Sequence, residues 1–417
     1  ALPICWHEIP LTRGGLMAVS LTGQAWMGTD VPAADLGART SAAVQVAARH
    51  AAAVDGEARF PAEALEAFKA QRLLGILVPQ ALGGEGAGIA EASDVCYQLG
   101  QACASSAMAY AMHQIMTACV LRHRGQSAAL ERVLRRVARE QLLLASSTTE
   151  GKSGGNVRSS EAPVERDGER ISLERRATVI SYGAYADGIV TTARRAADAE
   201  PTDQVMVAFL KSDYTLTRLQ GWHTLGMRGT CSEGYTLKAA GTADQVIPEP
   251  YGTVHAHTMV PFAHLLWGSV WAGIAAGATA RAQAFIRQAV RQNEGQMPPG
   301  AARFSAALSS LRTLRGLLAS ALRTYQKHMA DPKALSSMEF QSMITLTKVE
   351  ASELAVQIVL QALRVCGLSG YRCDGEFSVE RQLRDVLSSP LMINNERILS
   401  SLAGTMLLSP IPASVRD

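Results

Sequence analysis

Residues 258–280 read TMVPFAHLLWGSVWAGIAAGATA, 23 positions without a charge unless His264 is protonated. A run of this kind has two homes: a bilayer, or the middle of a helical body large enough to cover it on every side. One feature favours the second: the run passes without a loop into Arg281, Arg287 and Arg291 at helical spacing. Gly273 and Gly277 stand four apart, a close-packing spacing found in membranes and in tight soluble bundles alike. A chain of 417 residues can supply the covering helices. The expectation is therefore a buried core helix and no membrane partner.

The rest of the chain divides by pattern. Apolar residues at three- and four-residue spacing run from about Ala33 to Glu140, with Pro61 opening one helix and PQALGGEGAG (79–88) ending another. Short alternating or β-branched runs follow, among them ERISLERRATVIS and DQVMVAFLK, separated by Gly, Asp and Asn turns. Long helical patterns return from about Val254. The predicted organisation is a helical domain over 17–140, a small antiparallel β domain over 141–245 and a second helical domain over 246–417. Met17 is taken as the natural start, because the residues before it lack the charged and apolar regions of a signal peptide.

Composition narrows the function classes. Lys and Arg number 40 against 37 Asp and Glu, a net charge of +3, too little for a field that would gather nucleic acid. RVLRRVARE reads as the solvated face of a helix. The seven cysteines form no CxxC pair and no metal-like spacing with His, so no metal is expected. Free thiols fit a reducing, cytoplasmic setting.

Five segments, in order and spread over some 300 residues, resemble the acyl-CoA dehydrogenase family: LLGILVPQALGGEG (73–86), TTEGKSGGN (148–156), VISYGAYAD (179–187), LGMRGTCS (225–232), and CGLSGY (366–371) with VERQLRD (379–385). The resemblance implies an α+β fold with an N-terminal helical domain, a middle antiparallel β domain and a C-terminal four-helix bundle. It also implies an FAD-dependent oxidoreductase, with FMN the alternative cofactor. A flavin ring needs hydrogen-bonding groups at N5 and at its pyrimidine edge without bulk over its face, and loops of Thr, Ser and Gly suit it. By resemblance Ser181 takes the strand position near N5, with Thr148, Thr149, Ser153 and Gly154 in the preceding loop and Gly367 in the glycine segment. Arg291, in RQNEG, matches an arginine that reaches the flavin pyrophosphate of a neighbouring subunit, which implies a homodimer or homotetramer. In place of the family's Phe in that motif stands Glu294.

The catalytic carboxylate of the family is missing. The usual Glu lies in Tyr-Glu-Gly-Thr, eight residues after Arg-x-x-Arg-Asp, and counting from Asp385 reaches Ile393. The alternative position, on the long C-terminal-domain helix, is also vacant, since residues 250–293 contain no Asp or Glu. Glu396 is the nearest acid to the first position, and if the segment is helical it shares a face with Ile393. Two activities follow. One is α,β-dehydrogenation of an acyl thioester with Glu396 as displaced base, hydride passing to flavin N5 and on to an electron acceptor. The other is monooxygenation of a small N-, S- or aromatic substrate by reduced flavin and O2, served by a flavin reductase. That chemistry asks for a dry cavity with neutral donors such as His113, with His264 a further candidate. Prior frequency within the fold places dehydrogenation first.

Overall fold

The computed structural model describes residues 36–150, 158–408, 411, 413 and 414. Among these residues five helices come first: α1 Leu36–Gly56, α2 Ala62–Ala70, α3 Ile89–Ala102, α4 Ala104–His123 and α5 Ala128–Glu140. Each follows a local instruction. In α1 the buried residues are Thr40, Ala43, Ala47, Ala51 and Val54, one stripe at helical spacing. In α5 the Ser127 hydroxyl accepts from the Leu130 amide, and the polar face carries the i,i+4 pairs Glu131–Arg135 and Arg136–Glu140. Between α2 and α3 the chain turns at Gly83, at φ 93°, while a Cβ on Gly84 would lie 2.0 Å from the Val78 carbonyl oxygen. Both members of that glycine pair are thus demanded by backbone geometry.

Among the described residues seven strands follow: β1 Leu144–Ser147, β2 Glu165–Asp167, β3 Arg170–Ile180, β4 Gly188–Arg194, β5 Gln204–Leu210, β6 Tyr214–Gln220 and β7 Glu233–Thr242. They form one sheet in the order β1-β4-β5 and a second in the order β2-β3-β7-β6. Pairing is antiparallel except between β1 and β4, which run parallel. Periodicity carries no information about that exception, because β1 is buried throughout and shows no alternation. β3 alternates cleanly between exposed and buried residues, and its register with β7 slips between Ala177 and Ile180, just before Ser181.

The remaining helices are α6 Tyr251–Val254, α7 Val260–Gln292, α8 Ala301–His328, α9 Pro332–Leu335, α10 Met338–Cys366, α11 Leu368–Tyr371, α12 Glu380–Val386 and α13 Asn395–Met406. From Val260 on, the uncharged segment lies in α7, packed among α3, α4, α8 and α10, and its most apolar stretch is wholly buried. Glycine spacing sets the crossing with α3. A Cβ on Gly273 would sit 2.3 Å from the Tyr97 carbonyl oxygen, and one on Gly277 2.8 Å from that of Gln101. Between α6 and α7 the chain makes a π turn, His255–Met259. Pro261 explains it: a proline ring clashes with the carbonyl four residues back, here His257, which is turned out to accept from the Tyr325 hydroxyl at 2.9 Å.

Candidate active site

The ends of β1 and β3 and the turn 225–232 come together. β1 delivers Thr148 and Thr149, half-buried, and Glu150 bridges antiparallel to Ala177 on β3. The Thr178 hydroxyl donates to Thr149 Oγ1 at 3.3 Å. Glu150 is not a surface acid. Its carboxylate is buried, accepts from the amide of Glu161 at 2.6 Å, and faces Arg175 Nε at 3.6 Å. Arg175 lies on the inward face of β3 and donates to Thr192 and Ser160. Burial lowers its pKa to about 10, with Glu150 opposing the shift.

Ser181, half-buried, follows the register slip. Its Oγ is 2.8 Å from Ser232 Oγ, which is 2.8 Å from Thr230 Oγ1, and Thr230 donates to the Met227 carbonyl at 2.8 Å. Tyr182 locks the backbone beside this row: its amide donates to the Thr230 carbonyl at 2.8 Å, and its hydroxyl donates to that of Leu144 at 3.0 Å. The turn itself is gripped by α12. Asp385 Oδ1 accepts from the Met227 amide at 2.6 Å, Arg384 pairs with Asp55 of α1 and with Glu380, and a Cβ on Gly226 would come within 2.1 Å of the Arg384 carbonyl oxygen. Burial raises the Asp385 pKa to about 6, the Met227 amide opposing.

After α12 the chain reaches the vacant base position. Ile393 has φ 50°, a left-handed conformation that is an outlier for a β-branched residue. In Tyr-Glu-Gly-Thr the residue suited to such a φ is the glycine. Aligning Gly with Ile393 moves the expected base one residue earlier, from Ile393 to Met392, which packs against the core while Ile393 is exposed. Both are apolar, so the carboxylate is absent on either count. Glu396 is exposed in the first turn of α13. Its neighbour Asn395 is buried, accepting from Lys348 Nζ at 2.6 Å and donating to Glu353 Oε1 at 2.6 Å. Lys348 lies 5.6 Å from the Trp271 ring centre, and burial lowers its pKa to about 8.

His113 is fully buried, and both its nitrogens are engaged: Nδ1 accepts from the Leu144 amide at 3.0 Å, which leaves Nε2–H to donate to the Leu74 carbonyl at 2.8 Å. Burial depresses its pKa to about 4. The ring thus ties α4 to β1 and to the loop after α2, and a donor role toward a substrate would break one of those ties. His264 bonds the Ile344 carbonyl at 3.1 Å, with its pKa pushed down to about 3 by burial. Arg291 is exposed near the end of α7, and with Arg287, Gln288, Glu376 and Phe377 it lines an open cleft of about 400 Å³. Gly367, at φ 55°, terminates α10 and is exposed. Ser153 and Gly154 lie outside the described residues. Thr230, Ser232 and Asp385 fall within recognised motifs, yet spacing alone does not show that they connect to Ser181.

Family models for the acyl-CoA dehydrogenase N-terminal domain and C-terminal domain match residues 37–141 and 265–388. The chain belongs to the acyl-CoA dehydrogenase family. Among curated family relatives, cyclohex-1-ene-1-carbonyl-CoA dehydrogenase of Geobacter metallireducens is 27% identical over 86% of this chain and 92% of its own. Among solved structures, FMN-bound TdsC from Paenibacillus sp. A11-2 superposes with a TM-score of 0.78 at 17% identity, covering 91% of this chain and 98% of its own. Methanesulfinate monooxygenase MsuC from Pseudomonas fluorescens gives 0.77 at 18%, over 91% and 98%. At these identities the structural likeness establishes the acyl-CoA dehydrogenase-like fold. A flavin is the cofactor that the family and its FMN-bound neighbour support. The residues present fit one: Thr148, Thr149 and Ser181 offer neutral, half-buried hydroxyls at the strand ends.

Proposed function

We propose that this family member is a flavin-dependent monooxygenase acting on a small N-, S- or aromatic substrate, with reduced flavin delivered by a separate reductase. The observation that carries the reading is the apolar pair Met392 and Ile393 where the family's base would stand, with Glu396 exposed instead. Abstracting a proton beside a thioester needs a base within hydrogen-bond reach, held by a rigid element. Oxygen chemistry at a flavin gains from a site that excludes water and does not need such a base. Thr148, Thr149 and Ser181 would hold the ring edge. Bound there, the reduced cofactor would supply the electrons that activate O2.

A second reading remains, dehydrogenation of an acyl thioester. The 27% identical relative is named as an acyl-CoA dehydrogenase, and Glu396 lies a few residues beyond the base position. Anaerobic titration of the flavin-loaded protein with a panel of acyl-CoAs separates the two. The monooxygenase reading expects an unbleached flavin spectrum, and substrate-dependent oxygen uptake once a reductase and NADH are added. Bleaching by any acyl-CoA would overturn it in favour of dehydrogenation. An oligomer accompanies either reading: Leu368 and Tyr371 of α11 and Leu391 near α13 are each at least 72% exposed, an apolar surface suited to a second copy. The unpaired thiols of Cys96, Cys103, Cys119, Cys231, Cys366 and Cys373 support a cytoplasmic setting.

A further inference from the structure

The row of hydroxyls ending at Ser181 has a direction. A carbonyl oxygen carries no proton, so the 2.8 Å contact between Thr230 Oγ1 and the Met227 carbonyl requires the Thr230 proton to lie between them. Two oxygens that close with no proton between them would repel. Thr230 has one proton and has spent it, so its oxygen receives the proton of Ser232, 2.8 Å away. Ser232, its own proton spent, receives that of Ser181 across the next 2.8 Å. The polarity is set by the fold and not by a ligand. Asp385 fixes Met227 from one side, Tyr182 fixes Thr230 from the other, and Trp222 Nε1 donates to the same Met227 carbonyl at 3.0 Å.

We infer that Ser181 meets the flavin as a hydrogen-bond acceptor, with its proton committed to Ser232, and so holds the N5–H of reduced flavin in preference to the bare N5 of the oxidised form. The inference rests on the proposal that the flavin ring lies against the Thr149–Ser181 edge. Oxidised flavin offers only an acceptor at N5, and acceptor facing acceptor is repulsive. Reduced flavin offers a donor there. Ser232 and Thr230 are then positioning residues for redox-state selectivity, a role that suits a protein that takes its flavin already reduced.

The test is the ratio of dissociation constants for oxidised and dithionite-reduced FMN, measured anaerobically on the full chain by equilibrium dialysis and repeated with FAD. The wild-type protein is expected to bind the reduced form about tenfold more tightly, the scale of one hydrogen bond. That ratio places the potential of the bound flavin about 30 mV above that of free flavin, taking 29.6 mV per tenfold for a two-electron couple. Ser232→Ala releases the Ser181 proton and should bring the ratio close to one. Ser181→Ala, at a half-buried position that tolerates truncation, should do the same and serves if the first variant does not fold. Tighter binding of oxidised flavin by the wild type, or a ratio unchanged in both variants, overturns the inference while leaving the flavin site in place. Failure to bind either form would instead remove the flavin reading on which it stands.

Discussion

The residues assigned to the candidate site fall on two walls, one of strand ends and one of helices, and the two have fared differently. The β wall, made by the ends of β1 and β3 and the turn 225–232, keeps polar groups the family resemblance calls for, and Thr149, Glu150 and Ser181 are each tied to a second element. The helical wall, from α12 to α13, keeps Arg384 and Asp385, which brace the β wall, but has Met392 and Ile393 where an acid would act. A group that braces a neighbour is costly to remove, because its partner is left buried and unsatisfied. A group that acts only on substrate has no such protection.

The largest effect tests the bracing on the β wall. Glu150→Ala leaves Arg175 charged and buried without its carboxylate, and should cost about 3–5 kcal/mol, with loss of flavin stoichiometry. Thermal and urea unfolding at pH 7 check this; a cost near zero would dissolve the contrast between the walls. Asp385→Asn comes next, joining the two. With its pKa at about 6 in the fold against 3.8 in the open chain, the native state holds the Asp385 proton more tightly. This group's contribution is therefore largest below about pH 4 and falls as pH rises to about 6. Asn accepts the same Met227 amide and does not titrate. The wild type should thus lose up to about 3 kcal/mol relative to Asp385→Asn across that window in unfolding measured against pH. The difference cancels the opposite trend from His113 and His264, whose depressed pKa values make stability fall as pH drops.

On the helical wall the effects are smaller. Ile393→Gly relieves the left-handed backbone and should raise stability by about 1 kcal/mol, read from the urea midpoint. A loss would mean that the isoleucine side chain outweighs its strain. Glu396→Gln should change stability by less than about 0.5 kcal/mol and leave reduced-flavin oxygen uptake unaltered. A large drop in turnover would return Glu396 to the role of base and make the helical wall catalytic after all.

Much of the architecture was legible in sequence because it is written in local terms. The apolar stretch of α7, its glycines, Pro61 and the pair at 83–84 act through spacing and backbone sterics. What was not legible depends on partners distant in the chain. His113 reads as a lone histidine on an apolar helix, and only the fold shows Leu74 and Leu144 meeting its two nitrogens. The parallel β1–β4 pair leaves no period in a fully buried strand. Ser232 and Asp385 sit in recognisable motifs, yet motif matching treats them separately, while the fold links them through Met227. The missing base was visible in sequence by counting to Ile393, and the left-handed φ of Ile393 adds Met392 as the alternative position.

That turn has a consequence for how such a chain changes. Local preference does not hold Ile393 where it is. The Lys348–Asn395 bond, the Asn394 cap on the Arg397 amide and the contact of the Asn395 amide with the Pro390 carbonyl hold it from both sides. Because the shape is imposed from outside, residue identity at 392 and 393 can vary while the backbone path stays put. The segment therefore behaves as a fixed socket with exchangeable contents, and new chemistry here would begin with which side chain the socket presents rather than with a rebuilt loop.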